Sequence, residues 1–437
     1  MERPPTPEHL DPAPAPAGLR ILQPLRIRDF RLLFAGVGTS LLGDGVYTVT
    51  IAWQVYELSN APTALSVVGL AWTLPMVLFL LVGGVLGDRI DRRRLLIVSD
   101  LIRAAAVGSM AILALTGVIE LWHLIALVVV YGTGQALFAP SFQAIVPEVV
   151  PPERLVQANS LQQLFEPLAF RLAGPALGGL VIGAFGTGEA FLIDTLTYSV
   201  SIACVSMMRS LPRGTPSEQP SIGSELREGM NFVRSQTWLW ATLSAAAVTL
   251  LLWIGPLEVL LPFVVKNEYG GGAEGLGLIF AAIGAGAIGS AAVIGQRGLG
   301  RKHVLWMYLG WGASTLALAG YGIVHEVWAA MMIAFVAGIG EGIGNITWVT
   351  LMHRHVPDRL LGRVSSLDWM VSIGLVPVSF VLAGPVAEWV GVEATMIGAS
   401  VLATVAFLTF LAIPGVRAPE RWAPDYEAEP EPQPAPI

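Results

Sequence analysis

Residues 83–96 read GGVLGDRIDRRRLL, and four arginines and two aspartates fall within the seven positions 88–94. The knot follows a long apolar run in a chain of 437 residues of which 54% are apolar and only 13% charged. Soluble domains carry nearer a quarter of charged residues. With mean hydropathy +0.66, 48 glycines and 13 tryptophans, the composition is that of an integral membrane protein. Three roles compete for the knot: gripping a nucleic acid or phosphate, binding substrate, or working as a moving part. The net charge of -7 does not choose among them, because Asp425, Glu427, Glu429 and Glu431 sit together in a Pro-rich tail. A single cysteine, Cys204, excludes an internal disulfide and lies in an apolar run, where packing is its expected role.

A bilayer core needs about 20 apolar residues of helix. Punctuation by charge, Gly and Pro divides the chain into twelve such runs, at 30–56, 63–87, 95–117, 121–146, 161–185 and 189–208, then 238–265, 274–296, 303–324, 327–352, 366–389 and 393–414. The polar stretch RSLPRGTPSEQPSIGSELREGMNFVRSQ (209–236) separates them into two sets of six, and Ser224 to Trp238 is expected as an amphipathic helix on the membrane surface. The expected organisation is a disordered N-terminal tail (1–19), a six-helix bundle (20–208), a cytoplasmic linker (209–237), a second six-helix bundle (238–414) and a disordered acidic, Pro-rich tail (415–437). No cleavable signal is expected, since the start is polar and rich in Pro and Ala.

Lys and Arg accumulate on the cytoplasmic side of membrane proteins. Here Arg20, Arg26, Arg28 and Arg31 precede span 1, Arg89 and Arg92 to Arg94 follow span 2, and Arg154 follows span 4. Arg209, Arg213, Arg227 and Arg234 occupy the linker; further basic residues follow spans 8, 10 and 12. All fall on one side, while the opposite loops carry Glu57, Glu120, Glu189, Glu268, Glu274, Glu326, Glu388 and Glu393 against the single basic residue Lys266. A miscounted span would scramble this segregation. It predicts an even number of spans in the cell inner membrane with both termini cytoplasmic.

The halves echo each other. PPERLVQANSL (151–161) and LAGPALGGLVIGAFG (172–186) have counterparts in VPDRLLGRVSSL (356–367) and LAGPVAEWVG (382–391), and IGQRGLGRKHVL (294–305) is a worn copy of LGDRIDRRRLL (86–96). Duplicated halves suit a transporter that rocks one against the other. GVLGDRIDRRRLL (84–96) resembles the loop 2–3 signature of the major facilitator superfamily: Gly84, Leu86, Gly87, Asp88, Arg89, Arg92, Arg93 and Leu96 match, and Asp91 replaces a glycine. Within that superfamily, LLGDG (41–45), SDLIRA (99–104), VPEVVPPERLVQANSL (146–161) and SELREGMNFVRS (224–235) resemble enterobactin-exporter-like and macrolide-efflux-like proteins. The resemblance implies an all-α fold of twelve transmembrane helices in two pseudo-symmetric six-helix bundles. It also implies a conformational gate in the knot, with Asp88 meeting the N-terminal end of a helix of the other half, expected to be span 11, and the arginines meeting nearby carboxylates to latch an outward-open state. Two departures stand against a standard drug antiporter: span 4 (IALVVVYGTGQAL, 125–137) has no arginine, and in span 5 Phe170 replaces the glycine upstream of AGPALGG (173–179).

A charge near the bilayer centre costs about 2.5–3.5 kcal/mol on insertion scales, so the charges that persist there are functional candidates. Asp44 lies mid-span between Gly43 and Gly45, glycines that either let the backbone open or permit tight packing; Glu341 lies mid-span in AGIGEGIGNITW with Asn345 one turn on. In the superfamily, spans 1 and 10 line the central cavity. Asp44 and Glu341 are the first candidates for a proton site, since a carboxyl in apolar surroundings can exchange a proton near neutral pH. Arg171, read as the one basic residue deep in the membrane, needs a carboxylate from Asp44, Glu341 or Glu166; its spacing of five from Glu166 puts the two on different faces of an α-helix. Asp100 and Arg103 are expected to form a structural pair near a span end, and Asp194 and Asp368 to be solvated or capping.

GAGAIG (284–289) fits a dinucleotide fingerprint but lies inside span 8 with no strand before it, so helix packing is the better reading. No phosphate loop, nucleophile–base pair or metal-ligand cluster is legible, and His353 and His355 lack further ligands. The expectation is a non-enzyme without cofactor or metal, a monomer whose partners are a small-molecule substrate, protons and membrane lipids but no nucleic acid. The function expected is secondary active export of lipophilic or amphipathic molecules by proton antiport, with a siderophore exporter as the alternative cargo reading and a transport-inactive sensor or assembly partner as the alternative class.

Overall fold

The apolar runs fold as helices whose lengths suit a bilayer. A computed structural model describes residues 21–89, 91–209 and 222–421, without the side chains of 80–89, 222–226 and 358. The expectations for the tails beyond these limits, and for Gly84, Asp88 and Arg89 of the gate, therefore lie outside the described residues or side chains. The spans are α1 (Arg28–Leu58), α2 (Pro62–Arg89), α3 (Arg92–Leu115), α4 (Leu121–Val149), α5 and α6 (Thr187–Ser206) in the first half. In the second they are α7 (Thr237–Asn267), α8 (Ala273–Arg297), α9 (His303–Ile323), α10 (Val327–His355), α11 and α12 (Val392–Leu411). The fifth, α5, runs through Leu155–Glu166, a π-helical stretch Pro167–Ala173 and Gly174–Phe185; α11 comprises Asp358–Gly374 and Val376–Val390. The 31 residues of α1 or α7 give about 46 Å of helix, more than the hydrocarbon core requires. Among the described residues eleven spans are long and apolar enough to cross a membrane; α9 has the length but dilutes its apolar residues with Tyr308, Trp311, Ser314 and Thr315. Exposed tryptophans mark the ends of spans, as in an interfacial belt: Trp122, Trp328 and Trp389 at one end of the molecule, Trp306 at the other.

The packing repeats with a shift of six spans. In the first half α1 lies against α5 and α6, α2 against α4, and α3 against α4 and α6; in the second α7 lies against α11 and α12, α8 against α10, and α9 against α10 and α12. Across the halves α5 packs on α8, and its counterpart α11 packs on α2. The result is two pseudo-symmetric six-helix bundles. Small residues set the close approaches: a Cβ on Gly45 would stand 2.6 Å from the Phe170 carbonyl oxygen and 2.8 Å from Gly174 Cα, so the glycine beside Asp44 serves the α1–α5 contact.

The apolar core is continuous across the halves at one end only. Val46, Tyr56, Leu65 and Phe191 join Leu260, Val264, Leu276 and Phe380 in one buried cluster. At the end that carries the termini, the two halves keep separate clusters, around Phe30, Leu96 and Ile145 in one and Trp238, Tyr308 and Leu351 in the other. Cross-half hydrogen bonds follow the same distribution: Tyr56 Oη donates to the Val259 carbonyl at 2.7 Å, Asn60 Nδ2 to Asn267 Oδ1 at 2.8 Å, and Thr63 Oγ1 to Glu388 Oε1 at 2.7 Å. The linker helix Ile222–Ser235 is more than a surface element. It docks on α11, with Glu228 accepting from Arg359 at 2.9 Å and from Arg363.

Candidate functional site

Two cavities face each other near the middle of the bundle. The first-half cavity, of about 200 Å³, is lined by Asp44, Trp72, Tyr131, Gln135 and Glu166, and by Glu258 from α7. The second-half cavity, also of about 200 Å³, is lined by Trp253, Trp311, Trp348, Phe407, Glu341 and Asp368 among others. No lysine, arginine or histidine lines either one.

Beside the first cavity lies a buried charge network that the sequence reading divided wrongly. Arg103, expected in a pair near a span end, is fully buried and is a second deep basic residue besides Arg171. Its Nη2 donates to Asp100 Oδ1, and its Nη1 donates to Asp44 Oδ2 at 3.3 Å and to Gln135 Oε1 at 3.0 Å. The guanidinium lies 4.1 Å above the Phe138 ring and 4.7 Å from that of Tyr198, a stacking that suits its delocalised charge. Asp44 also accepts from Tyr131 Oη at 3.1 Å and from Tyr198 Oη, and Asp100 accepts from Ser201 Oγ at 2.7 Å. Asp194, expected to be solvated or capping, is fully buried: α6 starts at Thr187, which sets Asp194 two turns inside, against α1. The absent side chain of Gly43 makes the space, since a Cβ there would stand 2.3 Å from Asp194 Oδ1.

The second charge group joins the halves. Arg171 Nη1 donates to Glu341 Oε1 at 2.6 Å, which selects Glu341 among the three partners the sequence left open. Asn345 Nδ2 donates to the same oxygen at 3.5 Å, and Asn345 Oδ1 accepts from Trp311 Nε1 at 3.0 Å, tying the pair to the aromatic wall. Glu166 stands within electrostatic reach of Arg171, but among the described contacts the ion pair goes to Glu341 and none joins Arg171 to Glu166, in keeping with their spacing of five. A π-helical stretch, Pro167–Ala173, carries Arg171. Glu258, which the sequence reading passed over, faces Arg171 too. Asp44 and Glu341, named together as proton candidates, therefore belong to separate groups, each with its own arginine.

Asp368 is half-buried rather than solvated and accepts from Trp348 Nε1 at 3.1 Å. Of the gate residues with described side chains, Arg92 pairs with Glu148 at 2.7 Å, and Arg93 donates to the Val205 carbonyl at 2.9 Å and to that of Ser206. Both contacts stay within the first half. Asp91 caps α3 by accepting from the Arg93 backbone N–H at 2.9 Å, a local role for the residue that replaces the signature glycine. GAGAIG is a packing surface: a Cβ on Gly284 would meet the Arg171 carbonyl oxygen at 2.7 Å, and one on Gly286 the Phe335 carbonyl oxygen at 2.1 Å.

Comparison with known proteins agrees with this architecture. The chain is 23% identical to macrolide efflux protein A of Streptococcus pyogenes over 83% of its own length and 90% of the relative. It is 27% identical to the multidrug efflux pump Tap of Mycolicibacterium fortuitum over 84% of its own length and 91% of the relative. The fold of a bacterial homologue of the human lysosomal transporter Spinster, solved inward-facing and unoccupied, superposes with a TM-score of 0.67 at 15% identity, covering 92% of this chain and 100% of that one. The profile of the transmembrane secretion effector family matches residues 20–433, and this chain belongs to that family of major facilitator transporters.

Proposed function

We propose that the protein exports amphipathic small molecules, neutral or cationic, by alternating access and in exchange for protons. The observation that carries this reading is the second-half cavity: three indoles and Phe407 surround Glu341 and Asp368, and no basic side chain lines it. Aromatic faces and carboxylates attract a flat or charged apolar ligand through apolar burial and cation–π contact, worth about 2 kcal/mol or more where water is excluded. The relatives' printed activities, macrolide efflux and multidrug efflux, concern molecules of this general kind. Halves that share a core at one end and part at the other support rocking about the mid-membrane charge groups. In that scheme the Asp88 knot latches the opposite state, and Asp88→Asn impairs transport while leaving substrate affinity nearly unchanged.

Inverted vesicles from a host lacking its own efflux pumps, supplied externally with a fluorescent aromatic cation or a macrolide under an imposed pH gradient, test the reading. Uptake in wild type that falls at least tenfold in Trp311→Ala, with normal protein levels, is the expected result. Equal uptake with and without the gradient removes proton exchange, and uptake indifferent to Trp311→Ala removes the aromatic cavity.

A further inference from the structure

We propose that Asp194 is a proton-binding site; its use in coupling rests on the export reading above. Two carboxylates, Asp44 and Asp100, contact the Arg103 guanidinium and a third, Asp194, lies within its electrostatic reach, with Asp100, Arg103 and Asp194 fully buried. Two negative charges would remain uncompensated if all three ionised, and buried charges are tolerated only when paired and hydrogen-bonded. The donors are unevenly shared. Asp44 receives Arg103, Tyr131 and Tyr198, and Asp100 receives Arg103 and Ser201. Asp194 has Thr197 at 3.3 Å on Oδ1, whereas its Oδ2 is buried with no hydrogen-bond partner. The carboxylate least able to remain charged is thus the one that takes the proton.

The titratable and charged groups facing Asp194 are Asp44 and Tyr47 from α1, Arg103 from α3, Tyr131 from α4 and Tyr198 on its own helix; the last run of α5, Gly174–Phe185, presents no titratable side chain. These groups also supply an exit. Tyr198 stands beside Asp194 and donates to Asp44, which lines the cavity. A proton leaving Asp194 passes to the Tyr198 oxygen as the Tyr198 proton passes to Asp44, then reaches cavity water, leaving Asp194 as a carboxylate. The pseudo-symmetric partner half has no such site. Counted from the first residue of each 20-residue helix, Asp194 of α6 corresponds to Ala399 of α12, and the neighbouring Ser400 donates to the Thr315 carbonyl at 2.9 Å.

Infrared difference spectroscopy on the purified protein in lipid nanodiscs, stepped in pH, reads the proton directly. Wild type should show a protonated-carboxyl band that is lost in Asp194→Asn and kept in Glu341→Gln; Asp194→Ser supplies the same readout should the amide variant fail to fold. In proteoliposomes, Asp194→Asn should retain ethidium exchange within about twofold and lose at least tenfold of its gradient-driven accumulation. A band that persists in both Asp194 variants, or full gradient-driven accumulation by either, overturns the proposal. A wild type that shows the Asp194 band yet ignores the gradient would sink proton-coupled export while still assigning the proton to Asp194.

Discussion

Arg103 is the residue on which the first half depends, because its fully buried guanidinium is the counter-charge for both Asp44 and Asp100. Arg103→Met should lower stability by about 3–5 kcal/mol, the range found when one partner of a buried ion pair is removed. Arg103→Lys should recover only part of this, since one ammonium cannot reproduce a planar fork that reaches Asp44, Asp100 and Gln135 together. Thermal unfolding in detergent checks both, and a wild-type midpoint in Arg103→Met would refute the role. Glu341→Gln differs in kind. The Arg171 side chain is 46% exposed, so losing the pair should cost less than about 1 kcal/mol of stability while abolishing most transport. Asp44, Arg171 and Glu341 were legible in the sequence because a charge in an apolar run is conspicuous. The partner of Asp44 was not, since Arg103, like Asp194, looked peripheral until the true helix starts set them inside, and the indoles of the second cavity read as ordinary apolar composition.

At the scale of elements, helix contact in the absence of water is decided by backbone approach, and glycines fix where it occurs. A Cβ on Gly338 of α10 would stand 2.0 Å from the Ile283 carbonyl oxygen of α8, while one on Gly289 would meet nothing within 4 Å. Gly338→Val should therefore sharply reduce folded yield by size-exclusion chromatography, and Gly289→Ala should leave it unchanged; equal yields would mean that α8 and α10 do not meet as described. Span count and order were readable because apolar length and one-sided positive charge are independent signals. The π-helical stretch of α5 was not, although Pro167 and Pro175 bracket the region in the sequence: a proline predicts a lost N–H bond, but not whether the helix kinks, ends or widens by a residue.

Across the whole molecule, two bundles with the same packing carry different chemistry at corresponding places. Counted from the first residue of each 31-residue helix, Asp44 of α1 corresponds to Trp253 of α7, and by the same count in the 29-residue helices Gln135 of α4 corresponds to Glu341 of α10. The first half thus holds a carboxylate where the second holds an indole, and an amide where the second holds a carboxylate, so the two cavities offer different groups on one shared frame. Such a machine works only if the halves move. The described contacts between them that involve Asn60, Thr63 and Lys266 all lie at the end away from the termini. Asn60 and Asn267, 2.8 Å apart at their amides, belong to different halves and to no charge group, so cysteines there report on the seam alone. In a Cys204→Ser background, Asn60→Cys with Asn267→Cys should react with a short bis-methanethiosulfonate linker. Linking should lower transport at least tenfold, dithiothreitol should restore it, and each single cysteine should be unaffected. Full transport by the linked protein would mean that this seam never opens, and alternating access about it would have to be abandoned.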